Sequence, residues 1–318
     1  MIPEPAAPGL AGKNENRIYK VRFSAGDRTF DVLNLTVISV FLFVILYPLF
    51  WVLVASVSEP NAVNNGDVLF WPIGFNLSGY TKLIQTSAIW RAYGNTIKYT
   101  LIGTVLNLFV TICGGYALSR PQLPFRGIVM KLLIFTMFFN GGLIPTYLLV
   151  AKYLNLNNTM WAVLLPTTLS VYNMTIARAF FQSSIPDGIV EAAQIDGCGN
   201  LRTFFSVVLP VSPAIISVLV LFHVVFRWNE YFNAMIYLTR YELFTLQLVL
   251  REVLVSTASA ALNIAGSGGD SKAVMEMQRQ AQLIKYSSIV VSTVPMLIIY
   301  PFMQKYFVKG IMVGALKG

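Results

Sequence analysis

Apolar residues along this 318-residue chain gather into long unbroken blocks, not into the alternation of a half-buried sheet. Six blocks run free of Asp, Glu, Lys and Arg for about the 20 residues that a membrane crossing needs. They are 32–58, 99–119 (with its helix starting near Asn95), 132–151, 153–177 (apolar mainly over 160–177), 203–226 (crossing after Pro210) and 286–304. Segments so long and so uniformly apolar predict helices and do not fit barrel strands. The expected fold is therefore an all-α integral membrane protein with six transmembrane helices. Pro48, Pro145, Pro166, Pro213 and Pro295 lie inside the blocks, where a membrane bundle tolerates them.

The flanks set an orientation. Lys13, Arg17, Lys20, Arg22 and Arg28 precede the first block, and Arg120, Arg126 and Lys131 fill the short loop after the second. Lys305, Lys309 and Lys317 follow the last, whereas the opposite short loop has Lys152 alone. Basic residues favour the cytoplasmic side, so both termini and the loop 178–202 are expected there. The polar segment 1–31 reads as a cytoplasmic tail, 32–304 as the transmembrane domain and 305–318 as a second tail. The first apolar block is too long for the core of a signal peptide and reads as a retained anchor.

Composition agrees and removes other classes. Hydrophobic residues make up 56% of the chain and charged residues 12%, against about 25% charged in soluble domains. The net charge of +9 sits at block edges, which argues for membrane flanks and not for nucleic acid. One histidine (His223) and two cysteines (Cys113, Cys198) supply no metal centre, disulfide framework or triad. No metal site and no catalytic residues are expected, and the chain reads as a non-enzyme. His223, inside the fifth block, is expected to hydrogen-bond a neighbouring helix. No phosphate-binding G-x-x-x-x-G-K-[ST] loop occurs, since Gly12-Lys13 runs on into Asn14.

The segment 184–210 carries the most information. Locally it predicts a helix, a stop and a second helix. Asp187 after Pro186 is placed to cap the first, Ile189, Ala192 and Ala193 share a face, Gly197 supplies the stop, and Asn200 caps the second. The second helix runs through Leu209-Pro210 into the fifth crossing. Small residues beside the Glu191 carboxylate suit close approach by another protein and a directed hydrogen bond.

Glu191-Ala192-Ala193, Gly197 after three intervening residues, then Val207-Val208-Leu209-Pro210 resemble the EAA loop of ABC-importer permeases. Val207 stands where that family has Ile. The resemblance implies a type I importer fold in which this loop docks into a cleft on a cytoplasmic ATP-binding subunit. Glu191 and Gly197 supply the key contact and turn, with Ala192, Ala193, Asp196, Arg202, Leu209 and Pro210 completing the coupling set. It further implies that ATP and Mg are bound by that partner, which is a dimer, that a second homologous permease completes the pathway, and that an external solute-binding protein delivers the substrate. No cofactor is then held by this chain.

Phe226-Arg227-Trp228-Asn229-Glu230-Tyr231-Phe232 and the ending 300–318 resemble the carbohydrate-uptake branch, of the maltose-permease inner-subunit type. In that branch the tail runs toward the ATPase, which implicates Lys317 and Gly318. Residues 251–285 depart from the short maltose type, with Ser/Ala/Gly-rich sequence over 256–271 and a polar helix-like stretch over 272–285. The insertion resembles permeases for acidic oligosaccharides such as aldouronates or alginate fragments; a flexible surface loop and a contact with the binding protein fit it equally.

Sugars are usually held by aromatic faces and hydrogen-bonding groups. Asn140, Tyr147, Tyr172, Asn173, Trp228, Asn229 and Tyr231 are the substrate-pathway candidates, with bundle packing the plainer role for each. The block centres hold no Lys or Arg, so no buried cation for an acidic sugar is expected. Two alternatives stand beside the sugar importer: an ABC permease for another solute, and an ATP-independent secondary carrier. The carrier is disfavoured by the absence of carboxylates inside the blocks.

Overall fold

The computed structural model describes residues 25–139, 141–266 and 271–315. The segments 1–24, 267–270 and 316–318, and with them Lys317 and Gly318, lie outside the described residues, as does Asn140. Described residues form helices and turns with no strand among them.

The chain divides into two compact units between Phe50 and Trp51. The first contains most of α1 (Ala25–Ser56), a helix that is apolar on every side and has almost every side chain exposed. That is the pattern of a helix solvated by lipid.

The second unit is built on α4 (Ser87–Ser119), which is polar inside and apolar outside. Thr96, Thr100, Gly103, Thr104, Asn107, Thr111 and Gly115 are buried along one stripe, while Ile97, Leu101, Val105 and Phe109 point outward. Water would drive the reverse arrangement; hydrocarbon permits this one, because small and polar side chains let helices approach and hydrogen-bond while lipid takes the Leu and Phe faces. α8 (Val171–Ser184) uses that stripe. A Cβ at Gly115 would stand 2.7 Å from the Ala177 Cβ and 3.1 Å from the Arg178 backbone nitrogen.

Around this pair lie α11 (Pro213–Trp228), α13 (Leu246–Gly266) and α14 (Ser271–Ala315). Tyr99 of α4, Trp228 of α11, Leu248 and Leu250 of α13 and Ile284 of α14 meet in one apolar cluster with Leu164. The short helices α2 (Pro60–Asn64) and α3 (Ser78–Gln85) pack on α14. Its Ser287 Oγ and Leu283 carbonyl would each be 2.7 Å from a Cβ at Gly79.

Among the described residues, three helices are long and apolar enough to cross a membrane: Gly26–Ser56, Ser87–Ser119 and Met275–Phe302. The count rises to five if two bent pairs each form one span, Arg126–Phe138 with Leu143–Tyr153, and Asn200–Val208 with Pro213–Trp228. The first pair contains α5 (Arg126–Phe138) and α6 (Leu143–Tyr147), the latter running into a π-turn over Leu148–Tyr153.

The expected fourth block, 153–177, is not one helix. Asn155 and Asn158 take positive φ, α7 (Met160–Leu164) is five residues long, and a 3₁₀ turn over Leu165–Thr167 separates it from α8. Pro166 has no N–H to continue the ladder, so the helix breaks where the proline enters. Other boundaries move as well. The first helix takes in residues 25–31 ahead of the apolar block. The insertion is helical wherever it is described. Residues 251–266 finish α13, and 271–285 begin the same helix that contains the sixth block.

Candidate functional site

The segment after α8 folds as the helix, stop and helix read from its residues, with different details. α9 (Asp187–Ile195) has Pro186 as its N-cap residue and no side-chain cap, so Asp187 is the first helical residue and not the cap. Its carboxylate, placed favourably in the first turn, instead lies 3.4 Å from Arg120 Nη1. The stop is a Schellman motif at Gly197 (φ +77°): the Cys198 N–H donates to the Ala193 carbonyl at 2.9 Å and the Gly197 N–H to that of Gln194 at 3.0 Å. α10 (Asn200–Thr203) is capped at Gly199, so Asn200 opens the helix without capping it.

Of the two alanines expected to be open to a partner, Ala192 is and Ala193 is not. Val190 and Ala193 are buried, whereas Ile189, Glu191 and Ala192 are exposed. Val190 joins a cluster with Phe204 and Val208, Ile112 of α4, Ala177 and Phe181 of α8, and Ile215 and Leu219 of α11. Tyr116 centres it, 4.9 Å from the Phe204 ring and 5.6 Å from that of Phe181. Beyond α10 a π-turn over Phe204–Val208 leads to an 89° bend into α11. Ser212 holds that bend by donating from Oγ to the Val208 carbonyl at 2.7 Å. Leu209 is half-buried against the cluster and Pro210 is exposed.

One side of the segment is thus fixed to α4, α8 and α11, and the other is bare. Glu191, Ala192, Asp196, Gly197 and Arg202 are exposed, flanked by Ile195 at 86% and Leu201 at 76% exposure. Isolated exposed Leu and Ile are ordinary. Two this bare beside an unengaged carboxylate form a surface suited to a partner. Behind the segment a cavity of about 470 Å³ is lined by Tyr116, Arg120, Val190, Gln194, Leu201 and Phe205, among others.

Arg120 was not singled out by the sequence, yet it ties α4 to this segment. Nη2 donates to the Phe181 carbonyl at 2.9 Å, Nε to Ser119 Oγ at 3.0 Å, and the guanidinium lies 5.1 Å from the Tyr116 ring centre. The Asp187 side chain is 67% exposed, so Asp187→Asn should cost under about 1 kcal/mol. Arg120→Ala leaves the Phe181 carbonyl without its donor and should cost roughly 1–3 kcal/mol. Denaturant unfolding of the purified variants checks this; equal destabilisation by the two changes would show that the ion pair, not the carbonyl contact, holds the joint.

The substrate-pathway candidates do not converge. Trp228 is buried, donating from Nε1 to the Ser292 carbonyl at 2.9 Å, and Asn173 is buried with its backbone N–H on Ser170 Oγ. Tyr147 stacks on Tyr237 with centroids 5.8 Å apart, the first residue of α12 (Phe232–Tyr237) lies edge-on to Tyr231, and Asn229 donates to the Val225 carbonyl of its own helix. Tyr172 and Tyr231 are exposed. Asn140 is outside the described residues.

A buried polar junction was only partly legible. His223 meets α4 as expected, with Nδ1 3.3 Å from Asn107 Nδ2 and Nε2 3.4 Å from Thr111 Oγ1. A turn further on, just beyond the fifth block, Arg227 is 3% exposed, a buried cation held by acceptors of the protein itself. Its Nη2 donates to Asn107 Oδ1 at 2.7 Å and to the Leu164 carbonyl at 2.9 Å, and its Nη1 to Thr167 Oγ1 at 2.8 Å. The 3₁₀ turn sends the Thr168 N–H to the Leu165 carbonyl at 3.2 Å, so the Leu164 carbonyl accepts from Arg227 and from Thr168 Oγ1 at 3.0 Å instead. A Cβ at Gly103 would come within 2.7 Å of Arg227 Nε, so glycine clears the passage.

The comparisons follow this geometry. No protein-family model matches the chain. It is 35% identical over 292 residues to the polygalacturonan/rhamnogalacturonan transport system permease protein YtcP of Bacillus subtilis (strain 168), covering 92% of this chain and 99% of that protein. Protein LplC of the same organism is 33% identical over 301 residues, covering 95% and 99%. The arabinooligosaccharides transport system permease protein AraQ of Halalkalibacterium halodurans is 26% identical over 284 residues, covering 87% and 92%. Among solved structures, a chain from the crystal structure of a bacterial ABC transporter involved in the import of the acidic polysaccharide alginate superposes with a TM-score of 0.75 at 30% identity. The match covers 90% of this chain and 99% of that one. Identity at this level over nearly the whole length, on an all-helical fold like that of an ABC transporter permease, places the chain in the family of sugar ABC transport permeases.

Proposed function

We propose that this chain is the membrane-spanning permease subunit of an ATP-driven importer for oligosaccharides, acidic ones such as alginate or aldouronate fragments among them, in the bacterial cytoplasmic membrane. The segment 184–210 docks into a cytoplasmic ATPase dimer that binds ATP and Mg. A second, homologous permease completes the pathway, and an external solute-binding protein delivers the sugar. The fold is the six-span type I permease, with α7 and α8 as the crossing beyond the five helical candidates, and both termini are cytoplasmic.

The observation that carries the reading is the two-sided α9–α10 segment. Glu191, Gly197, Ile195 and Leu201 stand free on one side, while Val190, Phe204 and Val208 are built into the cluster with α4, α8 and α11 on the other. A partner gripping the free side moves the helices through the packed side, because close-packed clusters transmit displacement and do not absorb it. ATP-driven closure of the partner then shifts the permease between inward- and outward-open states. The acidic sugar class is supported by the names of two similar proteins, which give polygalacturonan and rhamnogalacturonan for one and alginate for the other.

Gentle purification from the native membrane with mass-spectrometric identification tests the assembly. An ATPase with a Walker-A sequence and a second permease should accompany the chain. Recovery of this chain alone, stable and functional without an ATPase, would sink the importer reading and favour a secondary carrier.

A further inference from the structure

We propose that the pocket between Tyr231, α13 and α14 takes a sugar acid in transit, with the Arg251 guanidinium on the carboxylate. The inference rests on the oligosaccharide-import reading above and adds a site to it.

The pocket encloses about 280 Å³ and is lined by Tyr231, Gln247, Arg251, Ser288 and Ser292 against an apolar wall that includes Leu254. That is near the lower end of ligand clefts, roughly 300–1,000 Å³, and suits one monosaccharide unit and not a chain. Its polar groups are largely unspent. Ser288 is 2% exposed, and its hydroxyl oxygen is buried with no hydrogen-bond partner. Arg251, Gln247 and the Tyr231 hydroxyl form no hydrogen bond or ion pair among the described residues. The acids near them in sequence are engaged elsewhere. Glu252 accepts from the Tyr241 hydroxyl at 2.8 Å and Glu230 from the Asn233 N–H at 3.1 Å. Only Ser292 is satisfied, donating to the Ile289 carbonyl at 2.9 Å.

Buried polar groups are nearly always paired. A buried hydroxyl left open beside a free amide, a free guanidinium and an exposed tyrosine ring is an arrangement completed by a ligand. The set matches a pyranose acid: the ring stacks on the sugar's C–H face, the amide and hydroxyls meet its hydroxyls, and the guanidinium takes the carboxylate through two parallel hydrogen bonds. Position agrees. Tyr231 lies three residues beyond the end of α11, whose start adjoins the segment 184–210. The pocket is thus at the end of that helix opposite the ATPase-facing surface, where an importer receives its cargo.

The test uses the complete transporter in a host that lacks it, with uptake of radiolabelled trigalacturonate and of the same trisaccharide with its carboxyl groups reduced to alcohols. Arg251→Gln should lower the charged-to-neutral uptake ratio about tenfold or more, the loss expected of a charge-assisted bidentate contact, and Arg251→Lys should keep part of it. Poor insertion lowers both uptakes together and leaves the ratio unchanged. If the wild type imports the charged sugar alone, the comparison is between the two variants, and equal loss in Gln and Lys overturns the assignment. An unchanged ratio, or uptake of the neutral sugar only, overturns the site and leaves the importer intact. A wild type that imports no oligosaccharide overturns both.

Discussion

Gly197→Val and Glu191→Ala should each leave normal amounts of protein in the membrane and yet abolish ATP-driven uptake. The two reach that result by different physics. A Cβ at Gly197 meets nothing within 4 Å, so the substitution creates no clash. Its whole cost is the φ of +77°, which for a β-branched residue is of the order of 1–3 kcal/mol. That is enough to undo one Schellman turn and turn Asp196, Cys198 and the start of α10 away from their positions, but not enough to unfold a bundle held by α4, α8 and α11. Glu191 is simpler still. It is exposed and has no partner among the described residues, so its loss should change stability by under about 0.5 kcal/mol. Any large effect must therefore come from another protein. If that protein anchors on the carboxylate, removal should cost about 2 kcal/mol or more, a roughly 30-fold weaker association. Membrane abundance, ATPase co-purification and sugar uptake measured on the same preparations decide it. Full uptake by both variants would remove this surface from the mechanism.

What the sequence made legible was whatever is encoded locally. The helix-stop-helix reading of 184–210 held because glycine at a helix end is a short-range signal, and Gly197 takes the left-handed conformation that only such a residue adopts cheaply. The caps did not hold. A side-chain oxygen near a helix start competes with tertiary partners, and Asp187 is drawn to Arg120, 67 positions away. Periodicity showed that Ile189, Ala192 and Ala193 can share a face but not which residues are covered; Ala193 is buried, and Val190 packs against residues of α4 and α8. Apolar blocks reported the solvent well and helix continuity poorly. Residues 153–177 are as apolar as a span, yet Pro166 breaks them. In the insertion 251–285 the polar stretch 272–285 is helical as its pattern suggested, and the Ser/Ala/Gly-rich part is helix where described, continuing the helix whose Leu248 and Leu250 pack into the central cluster. Arg227 and Arg251 escaped the sequence search for a simple reason. Charges at block ends look like membrane flanks, and nothing local says that one is buried and the other faces a pocket.

Arg227 is where the largest loss of stability is expected. Arg227→Met keeps the apolar stem and removes the fork, leaving Asn107 Oδ1 without its donor and the Leu164 carbonyl with the Thr168 hydroxyl alone. Each such loss costs roughly 1–3 kcal/mol in soluble proteins, and measured hydrogen-bond couplings in membrane bundles are smaller. A total of about 2–4 kcal/mol is expected, readable as a shift in unfolding by SDS in mixed micelles. Arg227→Lys should lose about half as much, since an ammonium cannot reproduce a planar fork on acceptors from two helices. Gly103→Ala attacks the same junction from the other side. Its Cβ would stand 2.7 Å from Nε and 2.9 Å from Cδ of Arg227, and Cδ is mid-chain and cannot swing away without drawing the guanidinium off its acceptors. Overpacking of this kind costs about 1–3 kcal/mol. The decisive measurement is the double variant. With the guanidinium gone, nothing anchors the stem and it can swing off the alanine methyl, so Gly103→Ala in the Arg227→Met background should cost at least about 1 kcal/mol less than in the wild type. Strict additivity would mean that the two residues do not share one junction, and that Gly103 is there only for the approach of α11 to α4.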